Sequence, residues 1–271
     1  MGLLGLPDLF WWLIVISAVI CLLGFYKDVY FFSVAYPFAV VAMALTILIA
    51  CARNLTPLLV VHLALLIVWG LRLGRFILER AQTSSYLRHQ QRDPRGGMSM
   101  SVRVLVWVLV SVLYAVMVTP ALLGPVSDRD LGPIGTSDQI VGLVLMAAGC
   151  TLEAWADQQK SAAKEREPDA VVTGGLYGWV RCPNYLGEIV FWLGNLIAGL
   201  PYIASFGQGF VAVLGLLALV FIMLGATKRL EAQQRERYGD DPEFNAWVLR
   251  VPILFPWTPV YSFDTLPLPK L

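Results

Sequence analysis

A chain of 271 residues that is 58% hydrophobic and only 14% charged, with a mean hydropathy of +0.68, is too apolar for a soluble domain, in which about a quarter of residues carry charge. Its net charge of +1 provides no basic footprint for a nucleic acid. Cys21, Cys51, Cys150 and Cys182 are far apart, and His62 and His89 are the only histidines, so neither a metal-ligand spacing nor a disulfide framework is present.

The opening MGLLGLPDLF has no basic n-region and no small-residue cleavage site, so no removable signal peptide is expected. Leu6 stands where a myristoylation signal needs Ser or Thr. Apolar blocks of about 20 residues cross a bilayer, and helices satisfy their own backbone groups in lipid. Such blocks follow at Leu9–Phe25, Tyr30–Ala52, Leu58–Leu73, Val102–Gly124, Gln139–Ala156, Tyr185–Phe206 and Gly209–Ala226. Pro201 shortens or breaks the sixth. The sequence therefore predicts an all-α fold: a polytopic membrane helical bundle of about seven transmembrane helices, forming a single integral membrane domain over residues 1–271. No internal repeat or low-complexity segment interrupts it, and Gly96–Gly97 is a loop signal.

Seven spans sort the charges. Eighteen of the twenty lysines and arginines fall on one side, including Arg88, Arg92, Arg95 and Lys270, and only Arg53 and Arg129 fall on the other. The positive-inside rule then places the N-terminus outside and the C-terminus in the cytoplasm. The membrane expected is a cytoplasmic (inner) one, with the endoplasmic reticulum as the alternative.

Ionisable groups at span ends cluster in three stretches, all on the cytoplasmic side, and such groups mark a functional site by default. In the third span, WGLRLGRFILER repeats Trp69, Arg72, Phe76 and Arg80 at helical spacing, flanked by Arg75 and Glu79. In the fifth, CTLEAWADQQKSAAK places Glu153, Asp157, Lys160 and Lys164 on one helical face. In the sixth, Asn184, Glu188 and Asn195 share a face. Each has a plainer reading. Arginines at span ends snorkel and set topology. Lys160 with Asp157, or Lys164 with Glu167, makes an ordinary surface pair. Asn195 serves as interhelical glue, and Trp69, Trp155, Trp179 and Trp192 belong to aromatic belts. The coincidence of three such faces predicts one cytoplasm-facing cavity. Its guanidinium and ammonium groups suit phosphates, and its carboxylates and asparagine suit ribose hydroxyls and a carboxamide. A nicotinamide dinucleotide carries all of these. The G-x-G-x-x-G fingerprint is absent, so such a ligand would bind among helices and loops. Gly174–Gly175 reads as a turn.

Two of these stretches resemble a known signature. LEAWADQQK followed by TGGLYGWVRCPNYLGE is similar to the paired motifs E-x-x-A-D-x-Q-K and G-L-W-x-x-x-R-H-P-N-Y-x-G-E of the membrane steroid 5α-reductase-like family. The nearest pattern is its bacterial branch, described by a domain of unknown function (DUF1295-like). The superfamily also holds sterol reductases and isoprenylcysteine-type methyltransferases. VWGLRLGRFILER resembles the W-x-x-R-L segment of the same branch, and RLEAQQRERYGDDPEFNAW resembles its closing region. The similarity spans roughly residues 58–259, the expected cofactor-site half.

The resemblance implies an enzyme that binds NADPH and reduces an activated C=C bond in a lipid or steroid-like substrate. By motif it implies cofactor contacts from Asp157, Lys164, Arg181, Asn184, Tyr185 and Glu188, with Arg72, Arg80 and Arg235 contributing from the third span and the C-terminal segment. Glu188 would bond the nicotinamide carboxamide. No metal is implied. The chain departs from the pattern in placing Cys182 where the signature has His and Tyr177 where Trp is common. Trp69 stands where the steroid enzymes have a proton-donating tyrosine, and an indole N–H has no useful acidity. Tyr185 or Tyr177 would then supply the proton. The second-span acid of those enzymes has no counterpart, because Tyr30–Ala52 contains no carboxylate. Two other readings stand beside the reductase: a methyltransferase using S-adenosylmethionine, since R-x-P-x-Y also occurs there, and a non-catalytic lipid-binding protein. The segment after Ala226 reads either as an amphipathic surface element or as a lid over the cofactor.

Overall fold

The computed structural model describes residues 3–81 and 97–267. Gly2, Arg88, His89, Arg92, Arg95, Gly96 and Lys270 lie outside the described residues. The described residues form eight α-helices joined by short 3-10 turns, with no strand among them. They are α1 (Asp8–Cys21), α2 (Ala35–Ala50), α3 (Pro57–Ala81), α4 (Met100–Leu123), α5 (Pro133–Arg166), α6 (Pro183–Gly199), α7 (Phe206–Tyr238) and α8 (Pro242–Arg250). Six stretches among these are long and apolar enough to cross a membrane, so this is an integral membrane protein. The expected sixth span is the short one. α6 has 17 residues and stops at Gly199, seven residues before the expected end at Phe206, because Pro201 cannot continue the helix and a 3-10 turn takes over at Leu200–Tyr202.

Helices also overrun their apolar blocks. α5 runs for 34 residues and α7 for 33, which at ~1.5 Å per residue is about 50 Å, against a hydrocarbon core of about 30 Å. The surplus in α5 includes Asp157–Arg166, and in α7 it includes Thr227–Tyr238. Good helix formers such as Ala, Gln, Glu, Lys and Arg fill both, so helicity continues where hydrophobicity ends.

Two compact units divide the chain: residues 1–146 with 193–216, and residues 147–192 with 217–271. The first unit packs α1 to α4 around a core that includes Leu13, Phe31, Met43, Ile47, Leu63, Leu66 and Trp69. On α2 the buried residues Ala39, Val40, Met43, Ala44 and Ile47 recur at helical spacing, while Leu45 and Ile49 are exposed. Exposed apolar side chains are the expected outer surface of a span. Trp69 is fully buried and meets Tyr36 edge-on at 5.3 Å. Tyr36 lies 5.0 Å from Tyr114, whose hydroxyl donates to the Phe31 carbonyl at 2.7 Å.

Asn195 serves as interhelical glue in this unit. Its amide nitrogen donates to the Met117 carbonyl at 3.0 Å, and its oxygen lies 2.9 Å from His62 Nε2. With the amide nitrogen spent on a carbonyl, the oxygen is the acceptor and His62 Nε2–H is the donor. α3, α4 and α6 are thus joined through one buried side chain. The same unit contains a bare contact between α5 and α6. A Cβ added to Gly142 would sit 2.3 Å from the Ala198 nitrogen, and one added to Gly194 would sit 2.6 Å from the Gly142 carbonyl. Small residues let helices approach backbone to backbone, which is how spans gain packing energy in lipid.

Gly142→Ala is expected to destabilise the folded protein by about 1–3 kcal/mol, because rigid backbone has to move. Gly132→Ala, where no atom lies within 4 Å of the added Cβ, is expected to stay within about 0.5 kcal/mol. Thermal unfolding of both variants in detergent checks this; equal stability would sink the close-approach argument.

Candidate functional site

Of the polar residues singled out in the fifth and sixth spans, all but Asn195 fall in the second unit. Its scaffold is α5 from Ala147, the loop to Cys182, the first ten residues of α6, α7 from Leu217, α8 and the irregular segment that follows. α5 and α6 again meet through glycine: a Cβ on Gly149 would lie 2.4 Å from the Phe191 nitrogen, and one on Gly187 would lie 2.6 Å from the Glu153 nitrogen. Gly142 and Gly149 are seven residues apart, as are Gly187 and Gly194, the spacing that keeps one seam facing a partner helix.

The loop folds onto α5 by named bonds. Gly175 adopts φ +62, a left-handed conformation that glycine enters without a Cβ penalty. The turn it makes directs the Leu176 N–H to Gln159 Oε1 at 2.9 Å. Tyr177 is buried and its hydroxyl donates to the Ala156 carbonyl at 3.2 Å. Trp247 Nε1 on α8 donates to the Tyr177 carbonyl at 2.8 Å, and Ala156, Tyr177, Phe244, Trp247 and Val251 form one small core. The paired glycines thus form a structural turn. Lys164 closes the rest of the loop, donating to the Pro168 carbonyl (3.1 Å), the Ala170 carbonyl (2.7 Å) and the Tyr238 hydroxyl (2.8 Å). An ammonium has three donors, and these three bonds use them all.

Arg181 is the centre of the unit. Its side chain is 1% exposed and pairs at 3.3 Å with Glu231, 2% exposed, while also donating to the Tyr261 carbonyl. Its backbone N–H donates to the Pro252 carbonyl at 2.9 Å, and its guanidinium lies over the Trp247 ring at 5.8 Å. Burial draws the Arg181 guanidinium below its ordinary value, and the Glu231 charge opposes that. Glu231 also accepts from Arg235 at 3.4 Å and from the Phe263 N–H at 2.9 Å. Arg235 reaches outward to Asp264. Neighbouring Cys182 is buried, and its thiol is pushed up to about 11 by that burial, although the Lys160 and Arg181 charges pull it back down.

The remaining expected residues fall as follows. Glu153, Asp157 and Glu188 are buried, and Lys160, Asn184 and Tyr185 are half-buried, on α5 and α6 of this unit. Arg72 and Arg80 belong to α3 in the first unit, half-buried and exposed respectively. The structure joins Arg181 to Arg235 through Glu231, a residue absent from the sequence-derived set. The signal for Glu231 was a carboxylate four residues before Arg235, in the turn where α7 passes from apolar to charged.

Among the described residues no group of three or more His, Cys, Asp and Glu side chains forms a metal site. The second unit contains the buried carboxylates of Glu153, Asp157 and Glu188, the half-buried Asn184 and Tyr185, and the Arg181–Glu231–Arg235 cluster. Apolar spans joined in this way define a polytopic helical membrane protein. The chain belongs to the DUF1295 family, proteins of unknown function, matched over residues 11–251. It is also 42% identical over 55 residues to Steroid 5-alpha-reductase DET2 of Solanum lycopersicum, a match covering 20% of this chain and 21% of that protein. The chain therefore matches about a fifth of the length of that relative. No solved structure matches it.

Glu231→Ala leaves Arg181 charged, buried and without its carboxylate, and is expected to cost about 3–5 kcal/mol of stability. Thermal unfolding measures this, and an unchanged midpoint would remove Arg181–Glu231 from the centre of the unit. Cys182 is expected to resist iodoacetamide at pH 8 in the folded protein and to react once unfolded, since only the thiolate attacks. The sign follows from the raised pKa: the thiol favours the folded state below its ordinary value of 9.0, and that contribution is lost as the pH rises towards about 11. Alkylation mapped by mass spectrometry from pH 7 to 10 checks it.

Proposed function

We propose that this protein is a membrane reductase that transfers a hydride from NADPH to a C=C bond of a lipid, with a steroid- or isoprenoid-like skeleton. The observation that carries the reading is the 42% identity with a steroid 5-alpha-reductase over 55 residues. The donor set of the second unit suits the cofactor. Glu188 and Asp157 are buried carboxylates that can accept from a carboxamide and from ribose hydroxyls, and Asn184 offers both a donor and an acceptor. Among the described residues Arg181 Nε is a buried donor with no acceptor, which suits a phosphate oxygen. Arg235 is assigned to the phosphates with it, and Lys164 joins them only by exchanging one of its three bonds within the protein.

NADPH supplies the hydride when bound. The chain's own residues bind and orient it, and they supply the proton that completes reduction. Tyr185, half-buried at the start of α6, is assigned as the proton donor; the Tyr177 hydroxyl donates to the Ala156 carbonyl. Burial of the carboxylates keeps water from competing for the ligand's polar groups. The substrate reaches the protein from the bilayer, as its class requires.

The deciding experiment is a thermal-shift titration of detergent-purified protein against NADPH, NADH and S-adenosylmethionine, because a ligand of the folded state raises its stability by mass action. NADPH is expected to stabilise and S-adenosylmethionine is not. Stabilisation by S-adenosylmethionine alone would replace the reductase with the methyltransferase, and binding of NADPH without turnover on any lipid would leave a lipid-binding protein. Glu188→Gln is expected to weaken NADPH binding by about 5- to 20-fold, or about 1–2 kcal/mol. Unchanged affinity would remove Glu188 from the site.

A further inference from the structure

Residues 251–267 contain no helix or strand, yet Ile253, Leu254 and Phe263 are buried. Side chains from the rest of the unit hold this segment along its length: Glu231 accepts the Phe263 N–H, and Lys228 donates to the Leu266 carbonyl. Two further ties are of another kind. Arg181 donates to the Tyr261 carbonyl, and Arg235 donates to the Asp264 carboxylate. In both, an oxygen of the segment occupies a guanidinium. Guanidinium forks take phosphate oxygens in the same way. Among the described residues the cluster is also one acceptor short, because Arg181 Nε is buried with none. The outer tie is open to water, with the side chains of Arg235 and Asp264 52% and 36% exposed. An exposed ion pair of this kind contributes little to stability, so a dissolved anion can exchange with it.

We propose that residues 260–267 are a displaceable strap, whose Tyr261 carbonyl and Asp264 carboxylate hold the places at Arg181 and Arg235 that a pyrophosphate-bearing ligand takes on binding. The identity of that ligand as NADPH rests on the reductase reading; the exchange itself does not. Glu231 stays behind as the fixed partner of both arginines, so the site keeps its geometry when the strap leaves. The strap then sets a threshold: a ligand with one weakly held oxygen does not open it, and one that presents several does.

Hydrogen exchange of the full chain in detergent, read by mass spectrometry over residues 260–267, tests this. The arms are no additive, NADPH, sodium pyrophosphate, and sodium chloride at matched ionic strength. NADPH or pyrophosphate is expected to speed exchange of the segment at least ~5-fold, with no such change in chloride. Asp264→Asn is expected to speed it without any ligand and to tighten pyrophosphate binding about 3- to 10-fold. Arg235→Asp combined with Asp264→Arg is expected to restore slow exchange and lose the response to pyrophosphate. Exchange that is unchanged or slowed by both anions overturns the strap, as does Asp264→Asn with unaltered affinity. Stabilisation by NADPH with unaltered exchange keeps the reductase and rejects the strap. Acceleration by pyrophosphate with no NADPH binding keeps the strap and rejects the reductase.

Discussion

A single buried charge pair organises the second unit. Arg181 and Glu231 stand between α6, α7 and the C-terminal segment with almost no contact with water. Two charges so placed have lost their hydration, and their attraction repays that loss only if further bonds saturate both groups. The surrounding chain supplies most of these: the Tyr261 carbonyl and the Trp247 face for the arginine, the Phe263 N–H and Arg235 for the glutamate. The course of the tail follows from that requirement. A segment without its own helix or strand still has to satisfy its backbone groups, and here part of that need is met by the side chains it in turn completes.

The glycine contacts impose a constraint of a different sort. Gly142 with Gly194, and Gly149 with Gly187, bring helix backbones within reach of each other and leave no volume for a side chain. The polar stripe of α5 continues the line of Gly149 through Glu153 and Asp157 at four-residue steps. Close approach therefore holds the carboxylates against α6 as a geometric by-product, since Gly187 packs on the Glu153 backbone itself.

Much of the fold was legible in the sequence because hydrophobic block length is set by the bilayer and not by tertiary contacts. The seven apolar blocks became helices, and Pro201 shortened the sixth as its chemistry requires. Helix ends were not legible: the third span continues to Ala81, the fifth to Arg166 and the seventh to Tyr238, because hydropathy reports where lipid ends while helicity depends on backbone propensity. At the site, Arg181, Lys164 and Tyr177 stood out as residue types, but their partners did not. Four of those partners are backbone carbonyls, of Tyr261, Pro168, Ala170 and Ala156, and a carbonyl has no letter in a sequence. Glu231 escaped for a related reason, since a glutamate at the head of EAQQRER looks solvated until its neighbours are seen to enclose it.

The length of α5 has a mechanical consequence. Its 34 residues exceed the hydrocarbon by about 20 Å, and a span answers a thinner or thicker bilayer by changing its tilt. A rod gripped by the lipid along one part carries whatever is packed on the rest of it, as a lever does. A tilt of about 10° swings the projecting tip sideways by about 3–4 Å, roughly a hydrogen-bond length. The carboxylate nearest the lipid, Glu153, moves least and the far lysine, Lys164, moves most, so bilayer thickness acts on this helix as a graded displacement that grows with distance from the membrane.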